Sequence, residues 1–552
     1  MQLQLSFIPA LSPEEAPFSP PESLTCVMGE ETHVQLCISC QSPAHLSIVS
    51  DAPEGSHPHL LLQKVEKVPC GLVVPEVRDE DYLYTAPGEY PDRLVDLSCG
   101  PEIGTDLPPC HEAFFFLSVR ADAATAAHDM TLTATLEAQG TSARAALPLR
   151  VFPDCLPPLP IHHTQWFHAD CLADYYHVPV FSEEHWAILR RFMVSLHDHM
   201  VNLILTPIFP PPLDVLPEGE RTPVQLVDVE EDEEGQFSFR YDRFDRWVDL
   251  ARACGIFDFE ISHLFTQWGV KYAPRILVRD TDGSLRRLFP WSEPGTGDRY
   301  LAFLDSFLPS LVNHLRETGL EGHAFFHISD EPGEKDIETY RKAAAFVIPR
   351  LQGFPTMDAL SCVRYSREGL VQTPVVSLDH LDPFLEDQVH PLWGYYCCAQ
   401  GTDVPNRFIS MPRRRSRILG TLLYVTHLQG FLHWGFNFYN AQFSLRHLDP
   451  HQETDAGHAF PSGDAFLVYP EEGGIPGESI RGKILRDGLM DLRLLYYLES
   501  RFGRERVLSL IRDIAGYLPD MRRYPREDAF FERLWDAAGH MLRDLQFSPD
   551  GV

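Results

Sequence analysis

The chain is short of positive charge: 46 lysines and arginines stand against 79 aspartates and glutamates in 552 residues, a formal charge of −33. That surplus repels nucleic-acid phosphates and anionic lipid surfaces, and no basic stripe offsets it. Long hydrophobic runs are missing too, since nothing approaches the ~18 apolar residues of a membrane-spanning helix. The opening MQLQLSFIPALSPEEAPFSPP has neither the basic segment nor the extended apolar stretch of a secretory leader. Cysteine is sparse and scattered, twelve in all, which without a leader fits a reducing compartment better than a disulfide framework. There is no internal repeat, and the acidic patch VEEDEEG (229–235) reads as a solvated loop. These absences imply a soluble, cytoplasmic protein that binds no nucleic acid and inserts in no membrane.

What is present implies more than one domain, because hydrophobic cores stop growing at about 250 to 300 residues. Residues 1–152 alternate short β-like runs (HVQLCIS, CGLVVPEV, EAFFFLSVRA, DMTLTATLEA) with Pro, Gly and Asp, the pattern of a β-sandwich. The proline-dense FPDCLPPLP (152–160) reads as a stiff linker. From residue 161 apolar runs alternate with amphipathic segments, as in repeated βα units. Eight candidate strands follow: HTQWFH (163–168), MVNLILTP (200–207), IFDFEIS (256–262), HAFFHIS (323–329), a weak one near FPTMDAL, TPVVSLD (373–379), LWGYYCC (392–398) and GFLHWGF (430–436). The expected fold is therefore multidomain α/β: a sandwich over 1–152, a (β/α)₈ TIM barrel over 161–477, and helices over 478–552 packed on the barrel.

In such a barrel the active site lies at the C-terminal ends of the strands. The fourth candidate strand ends there on two adjacent acids, Asp330 and Glu331, followed by Pro332. The pair has a plain alternative reading as the cap of the next helix. Strand side chains alternate in direction, so both acids reach one ligand only if the backbone leaves β geometry between them. Adjacency also constrains the chemistry. The two carboxylates of ordinary glycosidases flank the scissile bond from separate strands, about 5 to 9.5 Å apart, whereas sequence neighbours address neighbouring atoms of one sugar. That suits substrate-assisted hydrolysis, in which the 2-acetamido oxygen is the nucleophile. Repulsion within the pair should raise one pKa and keep a proton available. Trp166, Trp268, Trp393, Tyr395, Tyr396 and Trp434 fall near strand ends, where pyranose faces stack on aromatic rings and Trp N–H or Tyr O–H groups bond hydroxyls, although the barrel core needs aromatics as well. His263, Gln267, His327 and Asn437 are expected as polar partners on the same rim, with His327 alternatively supporting Asp330.

HISDEP (327–332), FEISHLFTQWG (259–269), WGYYCC (393–398), GFLHWGFNFY (430–439) and SIRGKILRDGLMDLRLLYYL (479–498) together resemble glycoside hydrolase family 123 and its large uncharacterised relatives, from about Tyr90-Pro91-Asp92 onward. The resemblance implies an N-terminal sandwich, a catalytic barrel and β-N-acetylgalactosaminidase activity without a cofactor. It also implies that Asp330 orients the acetamido group and steadies an oxazolinium intermediate, while Glu331 is the acid/base. The substrate is then a glycan with a terminal N-acetylhexosamine. A preference for N-acetylglucosamine and a non-catalytic carbohydrate-binding barrel are the alternatives.

Other motifs carry less. GESIRGKI (477–484) has phosphate-loop spacing but Ile484 where Ser or Thr is required, and no buried strand is expected to lead into it. Cys37-Ile-Ser-Cys40 lacks a second cysteine pair. Cys397 and Cys398 are expected on opposite faces of a strand. His162, His163, His168, His197 and His199 lack helical ligand spacing with a carboxylate, and no metal is assigned.

Overall fold

The computed structural model describes residues 3–14, 18–122, 129–152, 154–216, 218–267, 269–280 and 283–546. Two sheets of the N-terminal region face each other over a shared apolar core that includes Leu36, Leu46, Leu117 and Leu132. Strands Ala44–Ser50 and Met130–Ala138 bury alternate residues, the period of two that lets one sheet face meet a core and the other water. The stretch CGLVVPEV behaves differently. Only Cys70 ends a strand (His59–Cys70), and residues 71–77 run out to the barrel, where the Leu72 N–H meets Asp455 at 2.7 Å and Ser410 bonds the Val73 carbonyl at 2.6 Å. Val73 is buried at this contact, while Val77 is exposed.

The barrel strands are His162–Gln165, Leu203–Thr206, Asp258–Ile261, Ala324–Phe326, Met357–Leu360, Thr373–Ser377, Trp393–Tyr395 and Gly430–His433, all parallel, with the eighth pairing back onto the first. A bridge between Phe326 and Thr356 joins the fourth to the fifth, so the barrel is nearly closed. Most of these strands are buried on both faces, as strands enclosed by helices must be. The acidic patch is a hairpin: Asp228–Glu231 pairs with Phe237–Arg240 in a small four-stranded sheet, and only the residues between them form a loop.

The segment after the eighth strand departs from the expected division of the chain. Strand Ile475–Ser479 pairs with Gly88–Gly100 of the N-terminal sheet, and Tyr469–Glu471 extends that sheet further. Asp92 lies at this seam, bound by Arg481 through two 2.9 Å contacts and by the Tyr469 hydroxyl at 2.6 Å. A strand therefore does lead into the SIRGKI segment, but Lys483 is occupied by Glu31 at 3.2 Å and the Ser479 hydroxyl caps the helix at Gly482. Helix Ile480–Phe502 packs along Arg413–Thr426, and its Gly482 approaches His199, so it takes the place of the barrel's eighth helix. A Cβ on Gly420 would lie 1.7 Å from the Gly488 carbonyl, so the two helices meet backbone to backbone.

Candidate active site

Backbone conformation separates the two acids. Glu331 has φ of +46°, a left-handed conformation that takes the chain out of strand geometry at the position where the sequence demands it. The loop is pinned on both sides: the Glu331 N–H donates to the Ala359 carbonyl at 3.0 Å, and the Ser329 hydroxyl to the Thr266 carbonyl at 2.9 Å. Asp358 of the fifth strand accepts the Ile328 and Ser329 N–H groups at 3.0 and 3.2 Å, and the Tyr340 hydroxyl as well. Neither acid caps the following helical turn, where Asp336 takes the Gly333 N–H at 3.0 Å.

Asp330 and Glu331 open onto a cavity walled by Trp166, Leu213, Tyr395, Leu432, Trp434 and Phe460. Gln267 donates to Asp330 at 2.6 Å while its carbonyl accepts the Asp214 N–H at 2.9 Å, and this second contact fixes which way the amide faces. Tyr395 donates its hydroxyl to Glu331 at 2.7 Å. Burial, and next the neighbouring charge of Glu331, push Asp330 well above the usual carboxylate range. An ionised Glu331 thus disfavours ionisation of the Asp330 carboxyl next to it.

Beneath them His327 lies between two carboxylates, Glu260 at 2.5 Å and Asp358 at 3.2 Å. Burial favours the neutral ring, but the hydrogen bonds to Asp358 and Glu260 outweigh it and push the imidazole up to about 10. Ligand atoms of His263, His327 and Asp358 lie within 4.8 Å of one another, the spacing of a metal site. The two rings are stacked at 4.1 Å and 20°, so their in-plane lone pairs run side by side and do not converge, and both nitrogens of His327 are engaged. The arrangement fits an imidazolium clamp better than a metal. A folded-state pKa raised above 6.5 gives stability that is full below pH 6.5 and lost as pH climbs toward 10. Thermal melts should show wild type losing its advantage over His327→Gln across that interval, and a constant difference would reject the clamp.

Among the site residues expected from the sequence, Asp330, Glu331, Trp166, Gln267, Tyr395 and Trp434 line the cavity. Trp268 lies outside the described residues. His263 and His327 are buried behind Trp166, whose ring meets both edge-on. Trp393 opens its strand, so it lies two residues and one side-chain layer below Tyr395, stacked on His162 at 5.1 Å in the barrel floor. Asn437 is buried and holds the backbone of His168 through contacts of 2.9 and 3.0 Å. Tyr396 packs on Phe431 and His433. The expectation that tryptophan N–H groups meet sugar hydroxyls also fails: those of Trp166 and Trp434 donate to Glu260 and Asp464 at 2.6 and 3.0 Å. Cys397 and Cys398 both line the cavity, because the strand ends at Tyr395 and the chain turns.

Sequence reading missed Asp214 and Arg221, which come from loops without a motif, and gave His168, the last residue of HTQWFH, no role in the site. Arg221 grips Asp170 through contacts of 2.7 and 2.9 Å and donates to His168 Nδ1 at 3.1 Å. Burial, then the guanidinium, push His168 down to about 4, a neutral ring whose other nitrogen donates to the Trp434 carbonyl at 2.8 Å. Asp214 is raised to about 6 by burial, opposed by the Phe443 N–H bound at 2.9 Å.

A parallel barrel with paired carboxyls and aromatic walls at its C-terminal mouth defines a sugar-processing hydrolase of the glycosidase class. The model of the glycoside hydrolase 123 catalytic domain matches residues 166–498. This is more than half of the chain, and the chain belongs to that family. A solved family 123 glycoside hydrolase from Clostridium perfringens, studied for glycolipid glycan hydrolysis, shares the fold with a TM-score of 0.70 at 14% identity, 98% of each chain being covered. The CBM22-1 and GH10 modules of Clostridium thermocellum xylanase 10B reach a TM-score of 0.32 at 8% identity, covering 89% of this chain and 93% of that one, too remote to bear on function. No curated protein matches the chain. No helix among the described residues is long and apolar enough to cross a membrane.

Proposed function

We propose that the protein is an exo-acting β-N-acetylhexosaminidase that releases terminal β-linked N-acetylgalactosamine, from oligosaccharides or glycolipid-derived glycans, by substrate assistance. The observation that carries this reading is the adjacency of Asp330 and Glu331 in one cavity, turned apart by the left-handed backbone at Glu331. An acetamido N–H is a donor and selects the ionised form of Asp330, leaving a proton on Glu331, where the glycosidic oxygen needs it. The acetamido oxygen then attacks the anomeric carbon, the aglycone leaves with that proton, and Glu331 as base delivers water to the oxazolinium. Tyr395 holds Glu331 through this exchange; burial, and then the Glu331 charge, keep its phenol protonated.

Asp214 supports one other reading. It is a third carboxyl on the cavity wall, raised to about 6 by burial, and in its ionised form it would suit a displacement that ignores the acetamido group. The two readings part on one comparison. Nitrophenyl N-acetyl-β-galactosaminide should be hydrolysed while the β-galactoside is inert, and a thiazoline mimic of the bicyclic intermediate should inhibit far better than the free sugar. Comparable rates on both glycosides would hand the nucleophile to Asp214. N-acetylglucosaminide run alongside tests the choice of sugar.

A further inference from the structure

Trp434 faces the cavity, clamped edge-on by Phe438 at 5.0 Å and Phe460 at 5.2 Å. Its indole N–H points away from the opening, into a buried polar chain. Asp464 Oδ2 accepts it at 3.0 Å, and Asp464 Oδ1 lies 3.3 Å from His433 Nε2. His433 Nδ1 accepts from Arg407 at 2.7 Å and from the Gly435 N–H at 3.0 Å, so the ring's proton is on Nε2, facing Asp464. Arg407 completes the chain by donating to the Gly435 carbonyl at 2.5 Å and to Gln165 at 2.8 Å. Asp464, His433 and Arg407 are all at most 1% exposed.

Donors and acceptors along this chain agree with a cationic Arg407, a neutral His433 and an Asp464 that accepts at both oxygens; burial pushes Asp464 up to about 7, opposed by Arg407 and by the Trp434 indole N–H. The Cys398 backbone N–H also bonds Asp464, so one buried carboxylate holds two walls of the cavity. The other tryptophan wall is built alike: Trp166 donates to Glu260, which is bound to His327. A tryptophan needs no carboxylate in order to pack, and burying one is costly. A buried carboxyl on the indole N–H of each cavity tryptophan makes sense if ring orientation is what is being fixed.

The geometry points to Asp464 as a positioning residue for sugar binding, acting through the Trp434 indole N–H, with Arg407 neutralising it through His433. The inference rests on the cavity being the sugar site. Its effect belongs to binding in the ground and transition states alike, so it should appear in KM.

Two measurements test it. In the full-length protein with ¹⁵N-labelled tryptophan, the indole signal that disappears in Trp434→Phe should move and exchange faster in Asp464→Asn. This readout needs no substrate, so it stands even if the hexosaminidase reading fails. In turnover of the N-acetylgalactosaminide, Asp464→Asn should raise KM about tenfold and hold kcat within about threefold, as loss of uniform binding does. In the Trp434→Phe background the same change should leave KM nearly where that variant has it, since no N–H remains to be held. An unmoved indole signal in Asp464→Asn overturns the proposal. So does an equal KM penalty in both backgrounds, which would mark Asp464 as a general support of the fold. Inert wild type with a displaced indole signal would instead count against the substrate.

Discussion

Glu331→Gln should hydrolyse natural glycosides about 10² to 10⁴ times more slowly, roughly 3 to 5 kcal/mol of barrier, while sparing aryl glycosides whose leaving groups need no proton. The variant should keep its fold. A glutamine carbonyl still accepts the Tyr395 hydroxyl that Glu331 receives at 2.7 Å, and the backbone contact to Ala359 is untouched. What is lost is the proton, and with it the steep dependence on leaving-group acidity that distinguishes a general acid from a scaffold residue. Measured as kcat/KM across aryl glycosides of graded acidity, the deficit should shrink steadily as the leaving group improves. A deficit equal for every leaving group would remove Glu331 from that role.

Asp330→Asn should behave differently. If Asp330 steadies the acetamido group and the positive charge that develops on it, both good and poor leaving groups suffer alike, by about 10² to 10³, or roughly 3 to 4 kcal/mol. Asparagine still offers an oxygen to Gln267, so this first contact survives. The charge does not. The variant also removes a titrating group: the raised pKa of Asp330, due to burial and then to Glu331, disappears from the pH profile. The acid limb of kcat/KM should therefore shift in Asp330→Asn relative to wild type, with thermal melts confirming that both variants are folded. Identical leaving-group profiles for the two variants would sink the division of labour, and near wild-type rates in both would take the chemistry away from the pair.

Much of the frame is written in local pattern. Seven of the eight barrel strands begin within the runs read from the sequence, and the first begins one residue ahead of its run; strands enclosed on both faces are mostly apolar, the exceptions being the polar His162–Gln165 and the buried Glu260. The acid pair was legible because two carboxylates and a proline directly after such a run fit poorly with a buried strand continuing. Where reading failed, the failure has a shared cause. Trp393 and Tyr395 are two residues apart in one short strand, yet one fills the floor and the other meets Glu331, since the layer a side chain occupies depends on strand stagger around the barrel. His263 looks like a rim ligand in sequence and is buried, and His327, readable as a rim partner or as a support of Asp330, is buried beneath it. CGLVVPEV looks like a strand and is a contact with barrel loops.

The sequence by itself determined the succession of a sheet-rich region and βα units, the end of the strand that bears Asp330 and Glu331, and the excess of acids over bases. Each depends only on neighbours along the chain: periodicity, turn residues and charge. Tertiary structure alone decided which groups those acids meet. Gln267, Tyr395 and Asp358 come from three other segments, and Asp464 reaches Trp434 from a loop that also joins the N-terminal sheet. It also decided that Asp214 and Arg221 belong to the cavity and that the seam at Asp92 ties residues 389 positions apart. The physical reason is that a hydrogen bond or a pKa shift is set by distance in space and by exclusion of water, and loop closure brings together residues whose separation along the chain carries no trace of it.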